Sequence, residues 1–374
     1  MADPNLAPAL ETVGANPTRL WGLSTTERNH RIGVKSGLGG IGAPVVLANA
    51  AIAADPAWLR HVAGHPGLVL TLGGVPALAH ARDEHEAALL RDAMRDERGP
   101  DEAERFAFEA YEGGATIENR ALRKRERPFL MELRPDTQRA AERASYFGAY
   151  KGVTDLLTKY LWPEWALWLT RLAARLGLSP NMVTMIGTVL CIAATVAFAY
   201  GNYWIGLALA LPFMVLDTVD GKLARCTITS SKLGNVLDHG LDLVHPPFWW
   251  WFWATGLAHV GLALPNTLFW WVEGALFAGY VVQRAIEGAF IALFGGIHIH
   301  VWEPFDSRFR LITARRNPNM VILLSSVVVG RPDIGIVAVA AWTVVSCLVH
   351  LARLLQALAR RRRGEPVRSW LSDA

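Results

Sequence analysis

The chain has 374 residues, enough for two domains, and 52% of them are hydrophobic, with a formal net charge of only +4. That excess is modest, so the position of the charges matters more than their total, and no nucleic acid is expected as a partner. The cysteines Cys191, Cys226 and Cys347 lie far apart, which excludes a disulfide framework and any Cys-spaced metal site.

Polarity is unevenly spread. The first 145 residues are charge-rich and the rest is mostly apolar. The N-terminus carries Asp3 and Glu11 and no apolar core segment, so no secretory signal is read there and a cytoplasmic start is expected. Residues 1–135 read as a small soluble α/β domain. Pro44–Leu47 and Leu68–Leu72 are predicted strands, and Pro56–Gly64 and Arg82–Arg98 predicted helices. The glycine-rich piece Gly37–Gly42 lacks the Lys-Ser/Thr of a phosphate loop and the full dinucleotide fingerprint, which favours a tight turn over a nucleotide site. Glu118–Pro128 holds five basic residues. A solvated helix face and a segment lying near anionic lipid or a diphosphate are equally open readings. Residues 136–179 form a linker. Within it Thr154–Leu178 sets Trp162, Trp165 and Trp168 against basic residues, the composition of an amphipathic helix pair in the membrane interface.

Six apolar spans follow, near 182–200, 203–223, 233–257, 264–295, 318–330 and 334–357, the fifth short and open to extension toward Ile312. The turns at Gly201–Asn202 and Gly261–Pro265 carry no Lys or Arg, and Gly330–Asp333 carries only Arg331. The opposite loops hold Lys222, Arg225 and Lys232, then Arg308, Arg310, Arg315 and Arg316, and the tail 361–374 is basic. This bias places both termini and the basic loops in the cytoplasm. Trp249–Trp251 and Trp253 read as an interfacial, lipid-facing belt, and Arg284 with Glu287 as a buried ion pair or polar pocket wall.

Between the second and third spans lies DTVDGKLARCTITSSKLGNVLDHGLD, with Asp217, Asp220, Asp238 and Asp242. Spacings of three and four put each pair on one helical face. Carboxylates at membrane depth are costly without partners, and four converging from neighbouring helices suit hard divalent cations such as Mg²⁺ or Mn²⁺. Gly221 and Gly234 permit close approach, and Arg225 offers a planar fork to phosphate oxygens. His239 is read as structural or as a partner of a ligand, not as a ligand itself.

The segment resembles the signature of the CDP-alcohol phosphotransferases, DG-x2-AR-x8-G-x3-D-x3-D. Here it reads Asp220-Gly221, Ala224-Arg225, eight residues, Gly234, Asp238 and Asp242, with a further aspartate at Asp217. The resemblance covers roughly residues 150–360. It implies an all-α polytopic membrane domain of six transmembrane helices and an interfacial amphipathic helix, preceded here by the soluble α/β domain. It implies a homodimer in a membrane, expected to be the bacterial inner membrane. It also implies transfer of a substituted phosphoryl group from a CDP-alcohol to an acceptor alcohol, with release of CMP. By resemblance two Mg²⁺ or Mn²⁺ ions are held by Asp217, Asp220, Asp238 and Asp242, with Asp242 also the general base. Pro180, Asn181, Thr184, Gly221, Ala224, Arg225, Ser231 and Gly234 contact the CDP-alcohol; Pro180 and Asn181 equally suit a helix start. Arg284, Arg308, Arg310, Arg315 and Arg316 are candidates for the acceptor. The wording at 238–242 and Ser230-Ser231 is similar to choline/ethanolamine phosphotransferases, which makes diacylglycerol an alternative acceptor. A non-catalytic scaffold is a further alternative. Upstream, residues 1–135 weakly resemble a nucleotidyltransferase-like domain, with Asn49 where that comparison places a metal-binding Asp.

Overall fold

Val45–Asn49 is buried at every residue, as a strand covered on both faces must be. It is the second strand of a five-stranded sheet with order β1-β2-β5-β4-β6. These are β1 (Ala9–Val13), β2 (Val45–Asn49), β4 (Leu68–Leu72), β5 (Val75–Ala81) and β6 (Ala107–Ala110). A short β3 (Ile52–Ala54) pairs antiparallel with β9 (Leu130–Glu132) outside that sheet. β1 runs parallel to β2, with Ala9 opposite Val45, and β5 runs antiparallel to β2. The computed structural model describes residues 8–40, 44–114, 116–119 and 122–372.

Alternation along the strands splits the sheet into two faces. Val46, Ala48, Leu70 and Leu78 meet Ile32 of α1 (Thr25–Lys35) and Trp58, Leu59 and Val62 of α2 (Pro56–Ala63). Val45, Leu47, Val69 and Ala79 meet Ala87, Leu90 and Met94 of α3 (Glu84–Arg95). Asp55 caps α2 by accepting from the Ala57 amide at 2.8 Å, with Pro56 in the first turn. The predicted strands and helices of residues 1–135 are present. The basic segment differs: it is a hairpin of β7 (Ile117–Asn119) and β8 (Lys124–Glu126), not a helix. The last two residues of Gly37–Gly42, and Arg120 with Ala121 of the basic segment, lie outside the described residues.

After α4 (Gln138–Gly148) the chain makes a π-helical turn at Leu157–Leu161 and enters α5 (Pro163–Arg175). Trp165 and Trp168 are 65% and 60% exposed, as an amphipathic face requires, while Trp162 turns inward. The remaining helices are α6 (Pro180–Ala199), α7 (Tyr203–Cys226), α8 (Lys232–Gly256), α9 (Asn266–Leu293), α10 (Pro304–Phe309), α11 (Arg316–Val328) and α12 (Pro332–Arg362). Among the described residues α6, α7, α9 and α12 are long and apolar enough to cross a membrane. α11 has 13 residues. That is about 20 Å at 1.5 Å per residue, against a hydrocarbon core of about 30 Å. It starts at Arg316, and residues 310–315 are turn, so the extension toward Ile312 does not occur.

The tryptophan run is not a lipid-facing belt. Trp249, Trp250 and Trp253 are 0%, 3% and 0% exposed. Trp249 packs edge-on against Phe198 and Phe213, and the Trp253 indole donates to Pro332 O at 3.1 Å. Small residues make the room: a Cβ on Gly256 would sit 1.9 Å from Phe198 O, so the backbones of α6 and α8 approach directly. The basic tail is docked as well. Ser369 Oγ donates to Val301 O, and the Trp370 indole to Ser307 Oγ.

Candidate active site

α7 and α8 place the aspartates. Asp217 and Asp220 lie one turn apart near the C-terminal end of α7. Ser231 caps α8, its hydroxyl accepting from the Gly234 amide at 3.0 Å, and Asp238 and Asp242 follow on that helix. The side chains of Asp238 and His239 lie outside the described residues.

Asp217 and Asp242 converge. The Arg316 guanidinium, at the start of α11, donates to Asp217 Oδ2 at 2.5 Å and to Asp242 Oδ1 at 2.9 Å. Asp217 and Arg316 are largely buried, whereas the Asp242 side chain is 46% exposed. Asp220 is buried and accepts from Thr184 Oγ1 of α6 at 2.6 Å. Oxygen donors from two helices meeting on one cation form a hard-ligand set, which fits Mg²⁺ or Mn²⁺ chemistry.

Beside the aspartates opens a cavity of about 460 Å³. Pro180, Asn181, Thr184, Asp220, Gly221, Ala224, Ser231 and Gly234 all line it. Ser179 caps α6 and so fixes Pro180 and Asn181 at the rim. Gly234 lets α8 approach α6: a Cβ there would lie 3.1 Å from Asn181 Oδ1. Arg225 departs from the expected set and lines a neighbouring cavity instead, its guanidinium folded over Gly221. Leu23 and Arg31, from the N-terminal region, complete the wall, and Arg31 donates to Thr227 O at 2.9 Å. The sequence held no signal for them, because nothing local marks an exposed helix face that docks on a distant element.

The five candidate acceptor arginines separate. Arg316 sits on the aspartates. Arg315 and Arg284 meet at Glu287, at 2.5 and 3.3 Å. Arg310 stands where the Asp155 carboxylate acts on it, and burial pushes its guanidinium down to about 9. Nε and Nη1 of Arg310, and Nε of Arg284 and Arg315, are buried without a partner among the described residues. Arg308 is exposed and makes no ion pair among the described residues. The cluster gains Arg123 from the N-terminal region, lowered by burial and then by Arg315, with its own Nε unpartnered among the described residues. Burial tends to raise Asp155, but Arg310 and hydrogen bonds from Thr158 and Asn317 outweigh it and hold the carboxyl below its ordinary value. Asn317 Nδ2 donates to Asp155 at 3.0 Å, tying α11 to the turn at 155–158. Donor atoms of Glu287, His300 and His350 lie within 4.8 Å of one another. The guanidinium of Arg315 already fills the field of Glu287, so this group does not favour a cation.

Residues 177–305 match the family model CDP-alcohol phosphatidyltransferase. Among curated proteins, a cholinephosphotransferase of Gallus gallus is 33% identical over 105 residues, 25% of this chain and 31% of that protein. An archaetidylinositol phosphate synthase of Pyrococcus horikoshii is 27% identical over 193 residues, 51% of this chain and 89% of that protein. The chain spans less than a third of the length of the first curated relatives it matches. A solved Mycobacterium tuberculosis phosphatidylinositol phosphate synthase, in complex with manganese and citrate, is 20% identical, with a TM-score of 0.41 over 51% of this chain and 88% of that one.

Proposed function

We propose that this chain, whose residues 177–305 match the CDP-alcohol phosphatidyltransferase family model, transfers a substituted phosphoryl group from a CDP-alcohol to an acceptor alcohol and releases CMP. One observation carries the reading. Seven of the eight positions expected to contact the donor line a single cavity with Asp220, at whose side Asp217 and Asp242 converge.

The cavity would seat the cytidine end of the donor against α6, with the Thr184 hydroxyl holding Asp220 in place. Asp217, Asp220, Asp238 and Asp242 would hold two Mg²⁺ or Mn²⁺ ions, which when bound neutralise charge on the diphosphate and on the attacking and leaving oxygens. Asp242, the more exposed of the described aspartates, would take the proton of the acceptor hydroxyl as its oxygen forms a bond to the β-phosphorus. The bond from that phosphorus to the bridging oxygen breaks, and CMP leaves.

The donor is CDP-diacylglycerol and the acceptor a polar alcohol bearing a phosphate. Buried guanidinium nitrogens on Arg284, Arg310 and Arg315 lack partners among the described residues, and a phosphate would satisfy them. The opposite arrangement, CDP-choline or CDP-ethanolamine donating to diacylglycerol, is favoured by the wording at 238–242 and by the chicken relative. The enzyme is a homodimer with an interfacial α5 and six membrane helices, of which α11 is too short to cross a full-thickness hydrocarbon core, in a bacterial inner membrane with both termini cytoplasmic. The positive-inside bias supports that orientation. The N-terminal region is not a cytidylyltransferase: Asn49 is spent inside the fold, donating to Pro76 O and accepting from the Ala51 amide.

The test offers purified full-length protein a panel of CDP-alcohols and acceptors with Mg²⁺ and identifies the lipid formed. Product from CDP-diacylglycerol and a polyol phosphate supports the reading. Product only from CDP-choline or CDP-ethanolamine with diacylglycerol reverses donor and acceptor.

A further inference from the structure

A second cavity, of about 270 Å³, lies between the N-terminal region and the cytoplasmic-side end of α7. Its wall carries Arg28 and Lys35 of α1, Arg60 of α2 and Arg225 of α7, against the single carboxylate of Asp55. One Asp55 oxygen caps α2, and its charge acts on both Arg28 and Arg60, so a single carboxylate faces four cations.

Arg28 is the decisive residue. It is 3% exposed, and its Nε is buried with no partner among the described residues. Its guanidinium makes no hydrogen bond among the described residues; it stands 5.8 Å from the Phe129 ring. Burial pushes it down to about 10, so it stays charged at neutral pH. Burying a guanidinium without hydrogen bonds is among the costlier arrangements a fold can hold, and proteins relieve it with an anion. Lys35 is lowered by burial and then by Arg31, which marks the same excess of positive charge. The volume falls below the roughly 300–1,000 Å³ of drug-sized sites, so the occupant is small. Ile32, Phe129 and Ile228 leave apolar wall for a short carbon skeleton.

We propose that this cavity is a binding site for a phosphate monoester, held by Arg28, Lys35, Arg60 and Arg225. A tetrahedral dianion matches several converging cations better than a carboxylate does, and guanidinium forks bind it with paired hydrogen bonds. The site is separate from the donor cavity and shares only Ser230 with it. It does not depend on which donor or acceptor the enzyme uses.

Hydrogen exchange on the full-length protein in nanodiscs tests it, read on α1 and α2. Inorganic phosphate is compared with potassium chloride at equal ionic strength, in phosphatidylcholine discs. A parallel arm adds phosphatidic acid to the discs and no free phosphate. At ten times the dissociation constant, opening of these helices slows about tenfold. Slowing by inorganic phosphate assigns a soluble phosphate ester, and slowing by phosphatidic acid assigns a lipid headgroup. Arg28→Gln and the exposed Arg60→Gln each abolish it, and Arg60→Gln carries the test alone if Arg28→Gln does not fold. No slowing in either arm, or slowing that persists undiminished in the variants, overturns the proposal.

Discussion

Replacing Arg316 with glutamine removes the guanidinium that ties Asp217 to Asp242. Its contact to Asp217 is 2.5 Å between side chains 11% and 16% exposed. A charge-assisted hydrogen bond of that kind contributes about 1.5–3 kcal/mol. The contact to Asp242 is 2.9 Å, but that carboxylate is 46% exposed. Solvent screening reduces such a pair to about 1 kcal/mol or less. The tie is therefore worth about 2–4 kcal/mol, and a divalent cation entering between the carboxylates has to displace it. Without Arg316 that cost disappears, and the two carboxylates repel each other until a cation arrives. At the lower end of the range, Arg316→Gln tightens Mn²⁺ binding roughly 30-fold. Mn²⁺ titration of the substrate-free, full-length protein, followed by electron paramagnetic resonance, measures this directly. In chelator the same variant melts below wild type, and saturating Mn²⁺ closes the gap. A folded Arg316→Gln protein whose Mn²⁺ affinity is unchanged or weaker refutes the reasoning.

Trp253→Ala empties a fully buried site and breaks the indole bond to Pro332, costing about 3–5 kcal/mol in thermal unfolding, while Trp165→Ala, on the exposed face of α5, stays within about 0.5 kcal/mol. Asp155 has a carboxyl held below its ordinary value, so its contribution is present above the unfolded pKa of about 4 and is lost as pH falls through the lower folded value. Asp155→Asn is accordingly less stable at pH 7 and shows a shallower acid loss in chemical unfolding; an unchanged acid profile rejects the assignment. The full-length chain given CTP and polyol phosphates releases no pyrophosphate, as Asn49 and its internal hydrogen bonds require; robust release makes the protein bifunctional. Asp242→Asn loses turnover but keeps CDP-alcohol affinity in calorimetry, whereas Asp217→Asn weakens both; equal losses of binding make Asp242 a ligand alone.

The donor cavity was legible through resemblance: Asp220, Gly221, Ala224 and Gly234, which line it, stand at positions of the DG-x2-AR-x8-G-x3-D-x3-D signature, and Pro180 and Asn181 at the helix start. Spacing alone put Asp217 and Asp220 on one face of α7, and Pro180 with Asn181 suited a helix start, whereas the caps themselves, Ser179 on α6 and Ser231 on α8, came from the structure. The α/β character of the N-terminal region was legible from the apolar runs that become β2 and β4 and from the helical stretches of α2 and α3. Other features depend on partners distant in sequence. Composition cannot tell whether Trp249 and Trp253 face lipid or core; that is decided by Gly256, which lets α8 close onto α6. A solvated helix face was one of two open readings of the basic run at 118–128, but antiparallel pairing of Lys124 with Asn119 makes a hairpin there. Arg316 read as an acceptor contact because its loop is basic, while its partners lie 99 and 74 residues upstream. Arg31 and Arg123 became visible only once the N-terminal region was placed against α7 and α9.

The most direct test of the aspartate cluster as a phosphoryl-transfer centre is CMP release by the full-length protein from CDP-diacylglycerol, with a polyol phosphate and saturating Mg²⁺. The account predicts CMP in equal amount to new lipid for wild type. Asp217→Asn, Asp220→Asn, Asp238→Asn and Asp242→Asn, each still folded by thermal unfolding, should release essentially none. Near-wild-type CMP release from any two of these variants contradicts it.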